Sequence, residues 1–240
     1  MLRAYRIEWQ GERLNLYKLA IFDFDGTLVD SAPGIVDVMK NCVDEYNLSD
    51  DIYKEWQQLI GVPLMRQMEI IFPDHSEEYW LEVATRYREI YDSKTIELCP
   101  LFPHLIPMLE TLKASDVKIT IASSKRRHLI ETVLDHHDLS HFFSLIVGAQ
   151  DVQNHKPHPE SVHLTLQKMG TQAADAVVIG DSTYDLDMAR GADVDAIGVT
   201  TGIHTTEILA MSQPKHIVKG LDEVLPIILN GRMSNKRASQ

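Results

Sequence analysis

Of the 240 residues only two are cysteines, Cys42 and Cys99. Two cannot make a disulfide framework, and these do not have the spacing of a metal-binding pair. Basic charge is also scarce: 23 Lys+Arg stand against 35 Asp+Glu, a formal net charge of −12. That balance excludes the broad basic footprint of a nucleic-acid binder or of a protein that lies on anionic membranes. It leaves room for a small anion, which a local metal ion or a helix N-terminus can hold against the global charge. No apolar run approaches the roughly 20 residues of a membrane span. The first residues, MLRAYRIEWQGERLNLYK, carry charge every few positions where a signal peptide would carry an apolar stretch. Internal repeats and low-complexity tracts are missing too. The expectation is a reduced, cytoplasmic protein with neither nucleic acid nor membrane as partner.

What is present fits that class. Apolar residues make up 44% and charged residues 24%, the proportions of a soluble globular chain. The length suits one large domain or a domain carrying an insert. Short apolar runs at Leu19–Phe22, Val117–Ala122, Leu145–Val147, Ala176–Ile179 and Ala196–Val199 read as strands. They are continuously apolar rather than alternating, as in a parallel sheet covered on both faces. Helical stripes lie between and after them: Leu105, Met108, Leu109 and Leu112; Leu129, Ile130, Val133 and Leu134; Leu221, Val224, Leu225 and Ile228. Alternation of this kind predicts an α/β fold with a Rossmann-like, doubly wound parallel sheet.

Residues 33–100 break the rhythm. No strand pattern occurs there, but Ile35, Val38, Met39, Cys42, Val43 and Tyr46 share a helical face, as do Trp80, Val83, Ala84, Tyr87 and Tyr91. Trp56, Leu59 and Ile60 precede a break at Gly61-Val62-Pro63, after which Leu64, Met68, Ile71 and Phe72 resume. The expected organisation is an N-terminal extension (1–17), a core (18–32 and 101–230), an inserted helical domain (33–100) and a frayed polar tail (231–240). The aromatics of the insert are expected to pack its own core rather than stack on a ligand.

The chemistry concentrates at strand ends. Ala20-Ile21-Phe22-Asp23-Phe24-Asp25-Gly26 runs an apolar strand into two carboxylates and a glycine. In open parallel sheets ligands bind outside the carboxyl ends of the strands; the plainer reading is an Asp-Gly turn. Val177-Val178-Ile179-Gly180-Asp181-Ser182-Thr183-Tyr184-Asp185 ends a second strand in the same way. Carboxylates converging there repel one another unless a cation sits among them, and hard oxygen ligands suit Mg²⁺. Asp185 also fits a capping box with Ser182, and the two roles are compatible. A third strand ends in Ser123-Ser124, hydroxyls suited to an anion or to a helix cap. Lys156 sits on a loop stiffened by Pro157 and Pro159, and Pro159 suits the first turn of the helix that follows. The histidines of Asp135-His136-His137-Asp138…His141 read as a polar helix end, not as a metal cluster.

DFDGTLVDS, a strand ending in Ser123, Lys156-Pro157-His158-Pro159 and Gly180-Asp181-Ser182-x-x-Asp185, in that order, resemble the haloacid dehalogenase-like superfamily and its phosphoglycolate phosphatase-like members. The resemblance spans roughly residues 18–230 and implies a helical cap after the first motif. It implies that Asp23 is the nucleophile and becomes a phosphoaspartate, and that Asp25 is the general acid and base. Mg²⁺ would be held by Asp23, the Asp25 main-chain carbonyl and Asp181, supported by Asp185. Ser123, Ser124 and Lys156 would hold the phosphoryl group of a small phosphorylated metabolite, and Lys156 would also serve catalysis. Phosphate hydrolysis is the leading expectation; a sugar phosphomutase or a non-catalytic binding protein would use the same core. Family dehalogenases lack the Asp25-type acid, and none of Lys40, Lys54 and Lys94 stands out as the Schiff-base lysine of a phosphonate-cleaving relative. Specificity is expected in the cap, with the Gly61–Pro63 break, Arg66, Arg86 and Arg88 as pointers.

Overall fold

The computed structural model describes residues 17–230. The expected N-terminal extension, apart from Tyr17, and the expected tail lie outside the described residues. In chain order the elements are β1 (Leu19–Phe22), α1 (Ala32–Glu45), α2 (Asp50–Gln58), α3 (Leu64–Ile71), α4 (Glu77–Ser93), α5 (Leu105–Ala114), β2 (Lys118–Ala122), α6 (Arg127–His136), β3 (Leu145–Val147), α7 (Glu160–Met169), β4 (Ala176–Gly180), α8 (Thr183–Gly191), β5 (Asp195–Val199), α9 (Thr206–Met211), β6 (His216–Val218) and α10 (Leu221–Asn230), joined in places by short 3₁₀ turns.

The six strands among the described residues are all parallel, in the order β3-β2-β1-β4-β5-β6. The strands are apolar because both faces of the sheet are covered. The two-residue period sorts their side chains onto the two faces. Ala20, Phe22, Ile119, Ile121, Val177 and Ile179 pack with α5, α6 and α10, while Leu19, Ile21, Ala176 and Val178 pack with α7, α8 and α9. The chain winds outward from β1 to β2 and β3, then returns to the other side of β1 as β4. This reversal opens a crevice at the carboxyl ends of β1 and β4, the place where doubly wound sheets bind ligands.

Helices α1–α4 all fall between β1 and α5, with no strand among them. Ser49 and Ser76 cap α2 and α4, each accepting from the backbone N–H three residues on, with acidic residues in each first turn. The break between α2 and α3 falls at Gly61–Pro63, as expected. Trp56 is buried and donates to Gln67 Oε1 at 2.7 Å, and Gln67 donates in turn to Val62 O at 2.7 Å. Trp80 donates to Phe72 O. Trp56 is thus a core residue and Trp80 packs half-buried against the same core, and Gln67 pins the 61–63 break to α2. The chain leaves and re-enters the sheet side by side: Val29 bridges Leu101, Asp30 N–H donates to Pro100 O, and Phe102 N–H donates to Leu28 O.

Two local expectations change. Helix α6 starts at Arg127 with Arg126 as its N-cap, so Ser124 does not cap it and lies in the turn before. Pro159 is the N-cap of α7 rather than a residue of its first turn.

Candidate active site

Asp23 follows β1 directly, its N–H donating to Ile179 O of β4 at 2.8 Å. Asp181 follows β4. Adjacent parallel strands that end in register therefore bring two carboxylates to one edge of the sheet. Asp185 joins them from the first turn of α8. One carboxylate oxygen from each of Asp23, Asp181 and Asp185 lies within 4.8 Å of the others, and all three residues are buried.

Each acid is held differently. Asp181 accepts from the Thr27 hydroxyl at 3.1 Å. Asp185 Oδ2 accepts from Ser182 N–H at 3.2 Å and from Ser182 Oγ at 2.6 Å, while its Oδ1 accepts from Lys156 Nζ. Both of its oxygens are thus engaged, so the cap role and the support of the cluster coincide in one side chain. Lys156 bridges the group, donating to Asp23 Oδ1 at 2.7 Å as well, with only 6% of its side chain exposed.

One lysine does not balance three buried carboxylates. Burial pushes Asp23 up to about 6, the Lys156 ammonium pulling the other way and Asp185 and Asp25 adding to the rise. Burial, then the charges of Asp185 and Asp23, hold Asp181 well above the carboxylate range. Burial alone would lower Lys156, but Asp185 and Asp23 overcome it and raise the ammonium above its ordinary value. Two glycines keep the space around Asp181 clear. A Cβ on Gly202, in the turn after β5, would stand 1.7 Å from Asp181 Oδ2. One on Gly26, whose φ is +76°, would stand 2.5 Å from it. An all-oxygen, buried, acidic set with close backbone approach fits a hard divalent cation such as Mg²⁺.

Asp25 points elsewhere, its carboxylate accepting from Lys125 Nζ at 2.9 and 3.3 Å. Ser123 follows β2, and its hydroxyl accepts from Lys125 N–H at 3.3 Å. The Ser124 hydroxyl is buried with no hydrogen-bond partner among the described residues. Ser123, Ser124, Asp23, Asp25, Lys156 and Asp181 all line one cavity of about 380 Å³. Its far wall comes from the inserted helices, through Gly61–Met65, Gln67, Tyr87, Arg88 and Tyr91.

Among the sequence pointers, Arg88 reaches this cavity and Arg66 and Arg86 do not. Arg66 pairs with Glu69 on the surface, and Arg86 pairs with Glu45 and Glu89. Lys40 and Lys54 likewise pair with Asp44 and Asp51 away from the site. Two features had no local signal: Lys125, and the Thr201-Gly202 turn, where Thr201 Oγ1 donates to Gly26 O at 2.6 Å and closes the loop over Asp181.

This arrangement has relatives. Residues 20–199 match the family described as haloacid dehalogenase-like hydrolase. The chain belongs to that family. It is 34% identical over 210 residues to “Probable phosphatase IndB” of Dickeya dadantii, covering 86% of this chain and 91% of the relative. It is 29% identical over 230 residues to phosphoglycolate phosphatase of Salmonella typhi, covering 86% of this chain and 90% of the relative. A haloacid dehalogenase-like hydrolase from Bacteroides fragilis, known from its crystal structure, superposes with a TM-score of 0.81 at 29% identity, covering 87% of this chain and 99% of that one. The fold and the phosphatase-type hydrolase class expected from the sequence are those of this family. No helix among the described residues is long and apolar enough to cross a membrane.

The crowding of charge makes a stability prediction. Asp181→Asn keeps an acceptor for Thr27 and removes one buried carboxylate. The metal-free variant should melt about 2–4 °C higher than the unsubstituted chain, the shift that about 1 kcal/mol gives a domain of this size. Mg²⁺ should then add little further stability, whereas it should raise the melting temperature of the unsubstituted chain. A lower melting temperature for the metal-free variant would show that the three acids are not in conflict.

Proposed function

We propose that the protein hydrolyses a small phosphomonoester metabolite through a phosphoaspartate on Asp23, with Mg²⁺ as cofactor. The observation that carries this reading is the meeting of Asp23, Asp181 and Asp185 around Lys156 Nζ at the β1/β4 crevice. Asp23, Asp181 and the main-chain carbonyl of Asp25 would hold the metal, with Asp185 fixing Lys156 and the first turn of α8. When bound, Mg²⁺ supplies positive charge that offsets repulsion between a carboxylate and a phosphate dianion.

The side chains supply the rest. Asp23 attacks phosphorus, forming a carboxyl–phosphoryl bond as the ester oxygen departs. Asp25 gives that oxygen its proton, then takes one from the water that attacks the phosphoaspartate, so phosphate leaves and both acids return to their starting states. Lys156 and the hydroxyls of Ser123 and Ser124 hold phosphoryl oxygens, and the partnerless Ser124 hydroxyl supports that role. Positioning and charge stabilisation of this kind supply most of the rate in phosphoryl transfer.

Residues 33–100 act in this reading as a cap that covers the core site and selects the substrate. The paired segments around Val29 and Leu101 are where it would hinge. Substitutions at Val62, Leu64 and Met65, which face the cavity, should change KM and the ranking of substrates while leaving phosphorylation of Asp23 intact. An unchanged substrate profile would remove specificity from this wall. The reaction itself is tested by incubating the protein with a panel of phosphorylated metabolites and measuring phosphate release and sugar-phosphate isomers together. Phosphate release alone is expected; isomer formation would mark a phosphomutase, and neither product a binding protein.

A further inference from the structure

Lys125 is as buried as Lys156, with 6% of its side chain exposed, yet the scheme above gives it no task. An ammonium is costly to bury unless it is paired and hydrogen-bonded, and this one is. It donates to both oxygens of Asp25, at 2.9 and 3.3 Å, and to Tyr91 Oη at 2.7 Å. It also lies 4.4 Å from the centroid of the Tyr91 ring and 5.8 Å from that of Phe24, inside cation–π range.

Tyr91 belongs to the last turn of α4, and it is itself held. Its hydroxyl lies 3.2 Å from Cys99 Sγ, in the segment that carries the chain back to the sheet. Its ring stacks on Tyr87, with centroids 5.8 Å apart, and Tyr87 packs at 5.8 Å against Trp56 in the core of the inserted helices. Burial, then the charge of Asp25, raise the Tyr91 hydroxyl far above its ordinary range, so it stays neutral. A continuous path of contacts thus runs from the packed aromatics of the insert, through one ammonium, to one of the two acids beside Gly26.

We propose that Lys125 is a positioning residue: Tyr91 fixes its ammonium, and the ammonium fixes the orientation of the Asp25 carboxylate for proton transfer. The proposal rests on the reading of Asp25 as proton donor and acceptor. With Tyr91 in place, the ammonium holds Asp25 chiefly at Oδ1, at 2.9 Å, and so sets the plane in which the more loosely held Oδ2, at 3.3 Å, carries the transferred proton; with Tyr91 withdrawn, Lys125 loses one acceptor and the nearer of its two aromatic faces, and Asp25 turns more freely. An error of about 1 Å in such a group costs up to about 10²-fold in rate. A lysine that instead held the substrate's phosphoryl group would act on binding and would be indifferent to the leaving group.

The two roles separate in the single-turnover rate of phenol release, which reads phosphorylation of Asp23 alone, with 4-nitrophenyl phosphate, whose leaving group needs little proton assistance, and phenyl phosphate, whose leaving group needs more. Lys125→Met should lower this rate at saturating substrate about tenfold more on phenyl phosphate than on 4-nitrophenyl phosphate, a part of the roughly 10²–10⁴-fold that proton transfer supplies, with the half-saturating concentration nearly unchanged. Tyr91→Phe removes one hydroxyl without changing shape, so it tests the idea even if Lys125→Met does not fold. It should show the same leaving-group bias, smaller in size, and the double variant should be no worse than Lys125→Met alone. Equal losses of the phosphorylation rate on the two substrates, a raised half-saturating concentration with the saturated rate intact, or additive effects of the two substitutions would overturn the proposal. Asp25→Asn, measured in parallel, separates the layers. If it lacks the leaving-group bias, the assignment of Asp25 falls and Lys125's role with it; if it has the bias and Lys125→Met lacks it, only the role of Lys125 falls.

Discussion

Asp25→Asn should release one equivalent of 4-nitrophenolate from 4-nitrophenyl phosphate in a burst and then nearly stop. The substitution leaves Asp23 and the backbone carbonyl of residue 25 in place and removes only the proton that, in the proposed reaction, Asp25 delivers and later recovers. The nitrophenolate departs without that proton, so Asp23 is still phosphorylated. Hydrolysis then lacks its general base, and loss of that help slows turnover by about 10²–10⁴-fold. On an alkyl phosphate even the first step should fail, because an alkoxide cannot leave unprotonated. Stopped-flow absorbance reads the burst and the steady state together. Equal losses on alkyl and aryl substrates with no burst would mean that Asp25 has another role.

The second large effect is metal dependence. Chelation should abolish hydrolysis of 4-nitrophenyl phosphate, and Mg²⁺ should restore it. In the proposed reaction Asp23 presents its carboxylate to phosphorus from within a cluster of three buried acids whose only bonded cation among the described residues is Lys156. Ca²⁺ should restore activity poorly, since its larger and looser coordination would displace the attacking oxygen. A chelator titration monitored by both activity and melting temperature distinguishes loss of catalysis from loss of fold. Full activity in excess chelator would remove the metal from the account.

Much of this was legible before any coordinates. Strands β1 and β3 fall where their apolar runs predict and β2, β4 and β5 within a residue, because a sheet covered on both faces leaves no polar alternation to blur its edges. Strand β6 escaped notice: it is three residues long and its first, His216, is exposed. The acidic residues were legible because they directly follow apolar strands, and in a parallel sheet the chain's own direction delivers such residues to one edge. Lys125 was not. Its partners lie 34 and 100 residues away in sequence, and a lysine before an amphipathic stretch reads as a solvated helix start. The Thr201-Gly202 turn was hidden for the same reason: nothing local says that a carboxylate from the neighbouring strand fills the space a side chain would take. Of the three arginines singled out by sequence, Arg66 on α3 and Arg86 and Arg88 on α4, the 3.6-residue helical period could not tell which faces the cavity, and Arg88 is the one that lines it.

The central claim is that Asp23 carries the phosphoryl group between substrate and water. Mixing Asp25→Asn protein with 4-nitrophenyl phosphate, quenching in acid and mapping the phosphorylated peptide by mass spectrometry tests it most directly. One phosphoryl group per chain, on the peptide containing Asp23 and absent from an Asp23→Asn, Asp25→Asn double variant, is the predicted result; phosphate release with no phosphorylated protein, or a phosphoryl group that persists without Asp23, would contradict it.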